Sequence, residues 1–327
     1  MHGVLVIDKP AGPTSHDVVA RVRRVLGERR VGHTGTLDPF ATGVLPLVVG
    51  QATRLARFYS GSDKSYVADV RLGLSTDTHD LTGHPVGGVR LVDAGAPLPT
   101  AQAVEAALEA FRGRFLQRPP AFSAKKLGGV RSYELARARR QRRHEPDEQR
   151  LEAEAPAVVP APVEVAVHAL TLEHVEDDRV RLRMTVSAGF YVRALAHELG
   201  ERLGCGAHLV ALRRTATGEF GEADAIPLAW LEREGAASAR LVPLDRLLPG
   251  SPAVTLTAEG VARVSHGNTV EAAHCAHDGR SAAGPGPWPA VRLLAPGGRL
   301  VAISLPRAPG GSVGSAPWPL HPAIVLT

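Results

Sequence analysis

His33 and Asp38 stand close together in the stretch Val31 to Gly43, VGHTGTLDPFATG, among Gly32, Gly35, Gly43, Thr34, Thr36 and Thr42. Glycine and threonine are poor helix residues, and Pro39 drives Asp38 out of the α region, so the segment predicts a loop. A carboxylate held just before a proline, with small neighbours on both sides, can be approached by a large substrate. It has the chemistry of a nucleophile or a base. Asp-Pro and Thr-Gly are also ordinary turn vocabulary, and a mere connection is the plain alternative. Two other motifs fail on spacing. The Walker arrangement G-x-x-x-x-G-K-[ST] is absent. In the phosphorylated loop of cation pumps the aspartate precedes Thr-Gly-Thr, in proteins that cross a membrane.

The elements that must present this loop follow from apolar patterning. Gly3 to Pro10, GVLVIDKP, is an apolar run stopped by a proline, which predicts a buried strand with Lys9 at its end. Thr14 or Ser15 caps a helix whose Val18, Val19, Val22, Val25 and Leu26 share one face, with Gly27 closing it. Val44 to Val49 is a second apolar run, and Gln51 to Tyr59 reads as a helix. Tyr66, Ala68, Val70 and Leu72 alternate with Asp69 and Arg71, a half-buried strand in which Tyr66 reads as core on pattern alone. The following TDTHDLTG, with Asp77 and Asp80, fails the EF-hand spacing and reads as a structural turn.

Thr100 caps a helix carrying Val104, Ala107, Leu108 and Phe111. RPPAFSAKKLGGVRSY, residues 118–133, has no periodicity and is either disordered or a basic contact surface. Residues 134–143 suit an arginine-rich helix, and an acidic, proline-rich insert follows over about 144–162, which predicts a flexible loop. Val180, Leu182, Met184 and Val186 give the clearest strand. Leu195, Leu199 and Leu203 define a helix ended by Gly204, with Tyr191 and Arg193 at the junction before it. A junction arginine is usually a surface charge, but one beside a buried carboxylate would orient it.

With 327 residues, 44% of them hydrophobic, the chain is long enough for about two domains with a sizeable core. Lys and Arg number 38 against 33 Asp and Glu, a net charge of +5, and the isoelectric point is near 9.6, which favours an anionic partner. Cys205 and Cys275 supply neither a disulfide framework nor a cysteine-rich zinc site. No signal peptide or membrane-length apolar run is present, so the expected location is cytoplasmic.

GHTGTLDPFATGVLP resembles the catalytic motif of the TruB family of tRNA pseudouridine synthases, and GVLVIDKP, SDKSYVADVRLG, FYVRALAHELG and LGCGAHLVALRR resemble its other motifs in order and spacing. The resemblance implies an α+β fold: a pseudouridine synthase catalytic domain over 1–250, with a central mixed, mainly antiparallel sheet flanked by helices, and a thumb loop with its insert over about 118–162. Residues 251–327, short strands with glycine turns after LLPGSP, resemble a small PUA-like RNA-binding domain. The implied reaction isomerises uridine 55 in the T loop of tRNA to pseudouridine by base flipping, glycosidic cleavage, base rotation and rejoining through carbon. The implied catalytic set is Asp38, Tyr66 and Arg193, with Arg193 in a salt bridge to Asp38 and Tyr66 stacking on the base. Tyr191 contacts substrate, Leu212 walls the base pocket, His33 fills the gap left by the flipped nucleotide, and Lys9 supports the site's floor. Whether Asp38 attacks uracil C6, attacks C1′ or removes the C2′ proton stays open. No metal or cofactor is expected, and tRNA is the partner, met as its T stem-loop by a monomer that needs no protein partner. Two alternatives remain: a tRNA-folding chaperone with secondary catalysis, and a guide-RNA-dependent rRNA synthase, from which the short start before GVLVIDKP distinguishes this chain.

Overall fold

The leading apolar run forms a strand buried on both faces, since Val4, Leu5, Val6 and Ile7 all lie out of solvent. The computed structural model describes residues 1–86, 97–123, 126–127, 130–133, 135–136, 160–236, 239–276, 290–305 and 319–326. Along the chain come β1 (Gly3–Lys9), α1 (Ser15–Leu26), β2 (Val31–His33), β3 (Thr42–Val49), α2 (Ala56–Ser60), β4 (Lys64–Leu72) and α3 (Ala101–Leu108). Next are β5 (Gly113–Gln117), β6 (Val163–Glu176), β7 (Arg179–Val186), α4 (Val192–Arg202), β8 (Ala207–Thr217), β9 (Ile226–Pro227), α5 (Leu228–Glu234) and β10 (Leu241–Pro243). The chain closes with β11 (Ala253–Thr255), α6 (Ala258–Ser265), β12 (Val291–Leu294), β13 (Leu300–Ser304) and β14 (Pro322–Val325). Two units result: Met1–Leu37, Leu45–Ser60 and Glu219–Thr327 make one, and Asp38–Val44 with Gly61–Gly218 make the other.

In the first unit β1 runs parallel to β9 and antiparallel to β10, while β2 pairs antiparallel with the later part of β3 through Val31–Val49 and His33–Leu47. Helix α1 begins with a capping box: the Thr14 hydroxyl accepts from the Asp17 N–H at 3.1 Å, and the Asp17 carboxylate takes the Thr14 N–H at 2.8 Å. Thr14 is therefore the cap, and Ser15 has another task. Its buried hydroxyl donates to Leu37 O at 3.1 Å and accepts from Leu37 N at 2.9 Å, pinning the residue before Asp38. The helix expected from Gln51 to Tyr59 is instead a 3₁₀ turn, Gly50–Leu55, that becomes α2 only at Ala56, a common form for a short helix start. A separate four-stranded sheet, β11-β12-β13-β14, has its own core of Val254, Leu256, Val264, Val270, Leu293 and Val301.

In the second unit the first residues of β3 lie parallel to β8, and the order continues β8-β4-β7-β6-β5 with antiparallel pairs. Every second residue of β4 is buried, as its alternation predicts. Helix α4 covers β8 with Leu195, Ala196 and Leu199. The stretch expected to be one loop is ordered at both ends: Val31–His33 is strand, and Thr42 and Gly43 open β3. Gly43, at φ 102°, lets the strands approach so closely that a Cβ there would sit 2.2 Å from Arg214 O. The sheet is mixed and mainly antiparallel with helices on it, the expected α+β class. Most of the expected thumb and insert, and all but residues 135–136 of the helix expected over 134–143, lie outside the described residues.

Candidate active site

Asp38 begins a tight turn in which its carbonyl accepts the Ala41 N–H at 3.1 Å around Pro39 and Phe40. The turn aims its carboxylate at Arg193, which stands in the first turn of α4. The contact is a fork: Nε lies 2.9 Å from Oδ2, and Nη2 donates to Oδ1 at 3.3 Å. Two-point pairing fixes direction as well as distance. The guanidinium also donates from Nη1 to Thr78 O at 3.0 Å and from Nη2 to Phe122 O at 2.8 Å, and Nη1 lies 3.5 Å from Asp80 Oδ2. Five oxygens thus surround a group with five N–H bonds.

Burial within the pair is unequal. The Arg193 side chain is 7% exposed and that of Asp38 is 32% exposed. The structure buries the arginine and leaves the carboxylate partly open, in keeping with the approachable aspartate its small neighbours predict. A cation in the first turn of a helix opposes the helix dipole. Two carboxylates offset that here, and the second is Asp80. Its Oδ1 accepts from the Thr78 hydroxyl at 2.7 Å, the Thr82 N–H at 2.9 Å and the Thr82 hydroxyl at 2.6 Å. The expected turn is present, and it delivers an anchor to Arg193.

Tyr191, just before α4, is set by a fully buried glutamine. Gln117 on β5 accepts the Tyr191 N–H at 2.8 Å and donates to its carbonyl at 3.0 Å, fixing where the helix starts and where Arg193 falls. Burial raises the Tyr191 phenol above its ordinary value, opposed by the Ser123 hydroxyl and the Arg193 charge and aided by the Asp38 carboxylate. The phenol therefore stays a donor at neutral pH.

Tyr66 and Leu212 lie on one face of the sheet. Tyr66 on β4 stands opposite Arg214 of β8, and Leu212 stands opposite Ala68, so the two are diagonal neighbours. Both are 7% exposed, and Met184 flanks Tyr66 from β7. Arg214 is fully buried, donates from Nε to Val44 O at 2.7 Å and is the register partner of Gly43. The end of the Asp38 stretch and the Tyr66 strand are therefore tied to the same residue.

His33 and Lys9 belong to the other unit. The His33 ring meets His16 of α1 edge-on at 5.1 Å between centroids. Lys9 is fully buried and donates to Pro10 O at 2.8 Å, so it is no solvated charge. Sequence reasoning missed the anchoring role of Asp80, the two backbone carbonyls on Arg193, and Gln117. The crowding of Asp and Thr in TDTHDLTG was the available signal for the first; a carbonyl contact leaves none.

The family model described as TruB family pseudouridylate synthase (N terminal domain) matches residues 23–192, and that of the tRNA pseudouridylate synthase B C-terminal domain matches 193–249. A protein of Solibacter usitatus named tRNA pseudouridine synthase B is 48% identical over 270 residues, 82% of this chain and 85% of that protein. One of the same name in Geobacter sulfurreducens is 41% identical over 310 residues, 93% of each. Among solved structures, a chain of an H/ACA ribonucleoprotein bound to a substrate RNA containing 2′-deoxyuridine shares the fold at a TM-score of 0.67 and 24% identity, covering 100% of this chain and 85% of its own. A chain of a Cbf5–Nop10–Gar1 complex aligns at 0.67 and 25%, covering 99% and 84%. Matched by that family model over more than half its length, and by relatives over most of theirs, the chain belongs to the TruB family of pseudouridine synthases.

Proposed function

We propose that this chain is a tRNA pseudouridine synthase that isomerises uridine 55 of the T loop. The observation that carries the reading is the fork between Asp38 and Arg193, which points a partly open carboxylate out of an otherwise buried ion cluster. The reaction breaks C1′–N1, turns the uracil and forms C1′–C5; N1 gains a proton and C5 loses one, with no net redox change. Asp38 is the acting carboxylate and Arg193 its anchor. Tyr66 stacks on the base and takes part in the proton transfer, Leu212 closes the pocket wall, and Tyr191 contacts the substrate.

The target must first leave its stack, at a cost of a few kcal/mol that pocket contacts offset. His33 fills the gap and Lys9 supports the floor. The thumb and insert over 118–162 close on the stem-loop, and residues 251–327 act as a PUA-like RNA-binding domain. The enzyme works as a cytoplasmic monomer without a guide RNA. Identity of 41–48% to proteins named tRNA pseudouridine synthase B, against 24–25% to the ribonucleoprotein chains, supports the stand-alone form.

Asp38→Asn tests the reading. Tritium release from [5-³H]uridine-labelled tRNA should stop while tRNA affinity stays within about tenfold, or 1.4 kcal/mol. Turnover by this variant would refute the catalytic role, leaving tRNA folding as the function to measure.

A further inference from the structure

One feature beside the Arg193 cluster has no part in the reaction as described. His79 and His197 stack face to face, with centroids 3.9 Å apart and planes 11° from parallel. His197 is on α4, one turn beyond Arg193, and so on the same side of the helix. His79 sits between Thr78, whose carbonyl Arg193 holds, and Asp80, whose carboxylate Arg193 meets. The stack therefore joins the same two segments that the guanidinium joins.

His79 adopts φ 62°, a left-handed conformation in which histidine is uncommon. Its backbone is held as well, with its N–H on Thr76 O at 3.1 Å and its carbonyl accepting the Leu209 N–H at 3.0 Å. These bonds fix the turn against β8, while the ring reaches α4 by stacking. Nδ1 of each ring is sealed from solvent and has no hydrogen-bond partner among the described residues. A polar ring buried without such a partner is costly unless its packing compensates.

We propose that the His79–His197 stack is a positioning clamp that holds the 76–82 turn against α4, and so sets the guanidinium of Arg193 and, through it, the carboxylate of Asp38. This rests on the reading of Asp38 given above. Both residues act through Arg193, and the clamp needs two flat, uncharged rings. Arg193 lies beside the pair on α4, and a proton on either ring would add like charge to it. Burial, His197 and Arg193 lower His79 to about 3; burial lowers His197, against the opposing pull of Glu201. The other charged groups on the turn are Asp77, paired with His84, and Asp80, whose carboxylate is committed to Arg193; on β8, His208 is bonded to Leu74 O.

Single-turnover rates and tRNA affinity of His197→Ala, His197→Phe and His79→Asn test the clamp, with Asp38→Asn as the control. Losing an aromatic pair of this kind should slow His197→Ala about tenfold in kcat with tRNA Kd unchanged. His79→Asn tolerates the left-handed backbone yet lacks the ring, so it should show the same loss even if His197→Ala fails to fold. His197→Phe keeps a flat ring that takes no proton; it should recover the wild-type rate and extend activity further into acid. A wild-type rate in His79→Asn, a loss expressed in Kd instead of kcat, or His197→Phe as slow as His197→Ala would each overturn the clamp. Turnover by Asp38→Asn would instead sink the underlying reading.

Discussion

Arg193→Lys keeps the charge and removes the fork. In the native site five oxygens meet the guanidinium: both oxygens of Asp38, Thr78 O, Phe122 O and Asp80 Oδ2. An ammonium has three donors on one nitrogen, so at least two of the five lose their partner. If those are the carbonyls, leaving buried acceptors unmet costs about 1–3 kcal/mol each in stability. If Asp38 loses one of its two bonds, its carboxylate is free to turn, and a misplacement of about 1 Å at a reacting group costs on the order of 100-fold in rate. The expected result is a kcat for tritium release about 100-fold or more below wild type, or roughly 2.7 kcal/mol in the barrier. Filter-binding Kd for tRNA should stay within about threefold, since the arginine faces inward. Thermal unfolding should shift down by a few degrees. A lysine variant within threefold of the wild-type rate would show that charge alone suffices and that the fork geometry is irrelevant.

Two further outcomes follow from the same structure. Gly43→Ala puts a Cβ 2.2 Å from Arg214 O at a φ of 102°, so strain of about 1–3 kcal/mol plus separation of β3 from β8 should lower the urea midpoint and the rate together; an unchanged midpoint would refute the close approach. His79, lowered to about 3, stays neutral when folded while the unfolded chain takes up a proton below about pH 6.5, so stability is lost as pH falls through that window, by about 1.4 kcal/mol per unit. At pH 5 His79→Asn should therefore lose about 2 kcal/mol less than wild type relative to pH 7.5 in urea titrations; equal losses would refute a buried neutral ring.

The stretch Val31 to Gly43 was legible because its composition forbids a helix and its neighbours are plainly patterned. β4 and β7 alternate cleanly, and α1 carries both of its end signals, Thr14 and Gly27. From its pattern alone Arg193 could be singled out only as a junction arginine, since a separation of 155 positions from Asp38 leaves no periodic trace, and the pairing itself was carried by the resemblance. Asp80 was hidden for a different reason: a turn that satisfies its own carboxylate looks the same whether or not an arginine lies behind it. Thr14 and Ser15 stood as alternative caps because hydroxyls serve local and distant backbone equally well, and only the structure separates the capping Thr14 from the Ser15 that holds Leu37. The 3₁₀ turn at Gly50–Leu55 was invisible because a short helix has the same pattern in either form.

The enclosed arginine has a consequence for what can be drawn into the pocket. Two acids and one base sum to a single formal negative charge in this cluster, and the cation among them already meets five oxygens. A phosphate descending there would find repulsion and nothing to hold. On the reading of Asp38 proposed above, an uncharged uracil would meet no such barrier, so the nucleotide would enter ring first with its backbone left at the rim, and the cluster would act as a filter that admits bases and turns anions away.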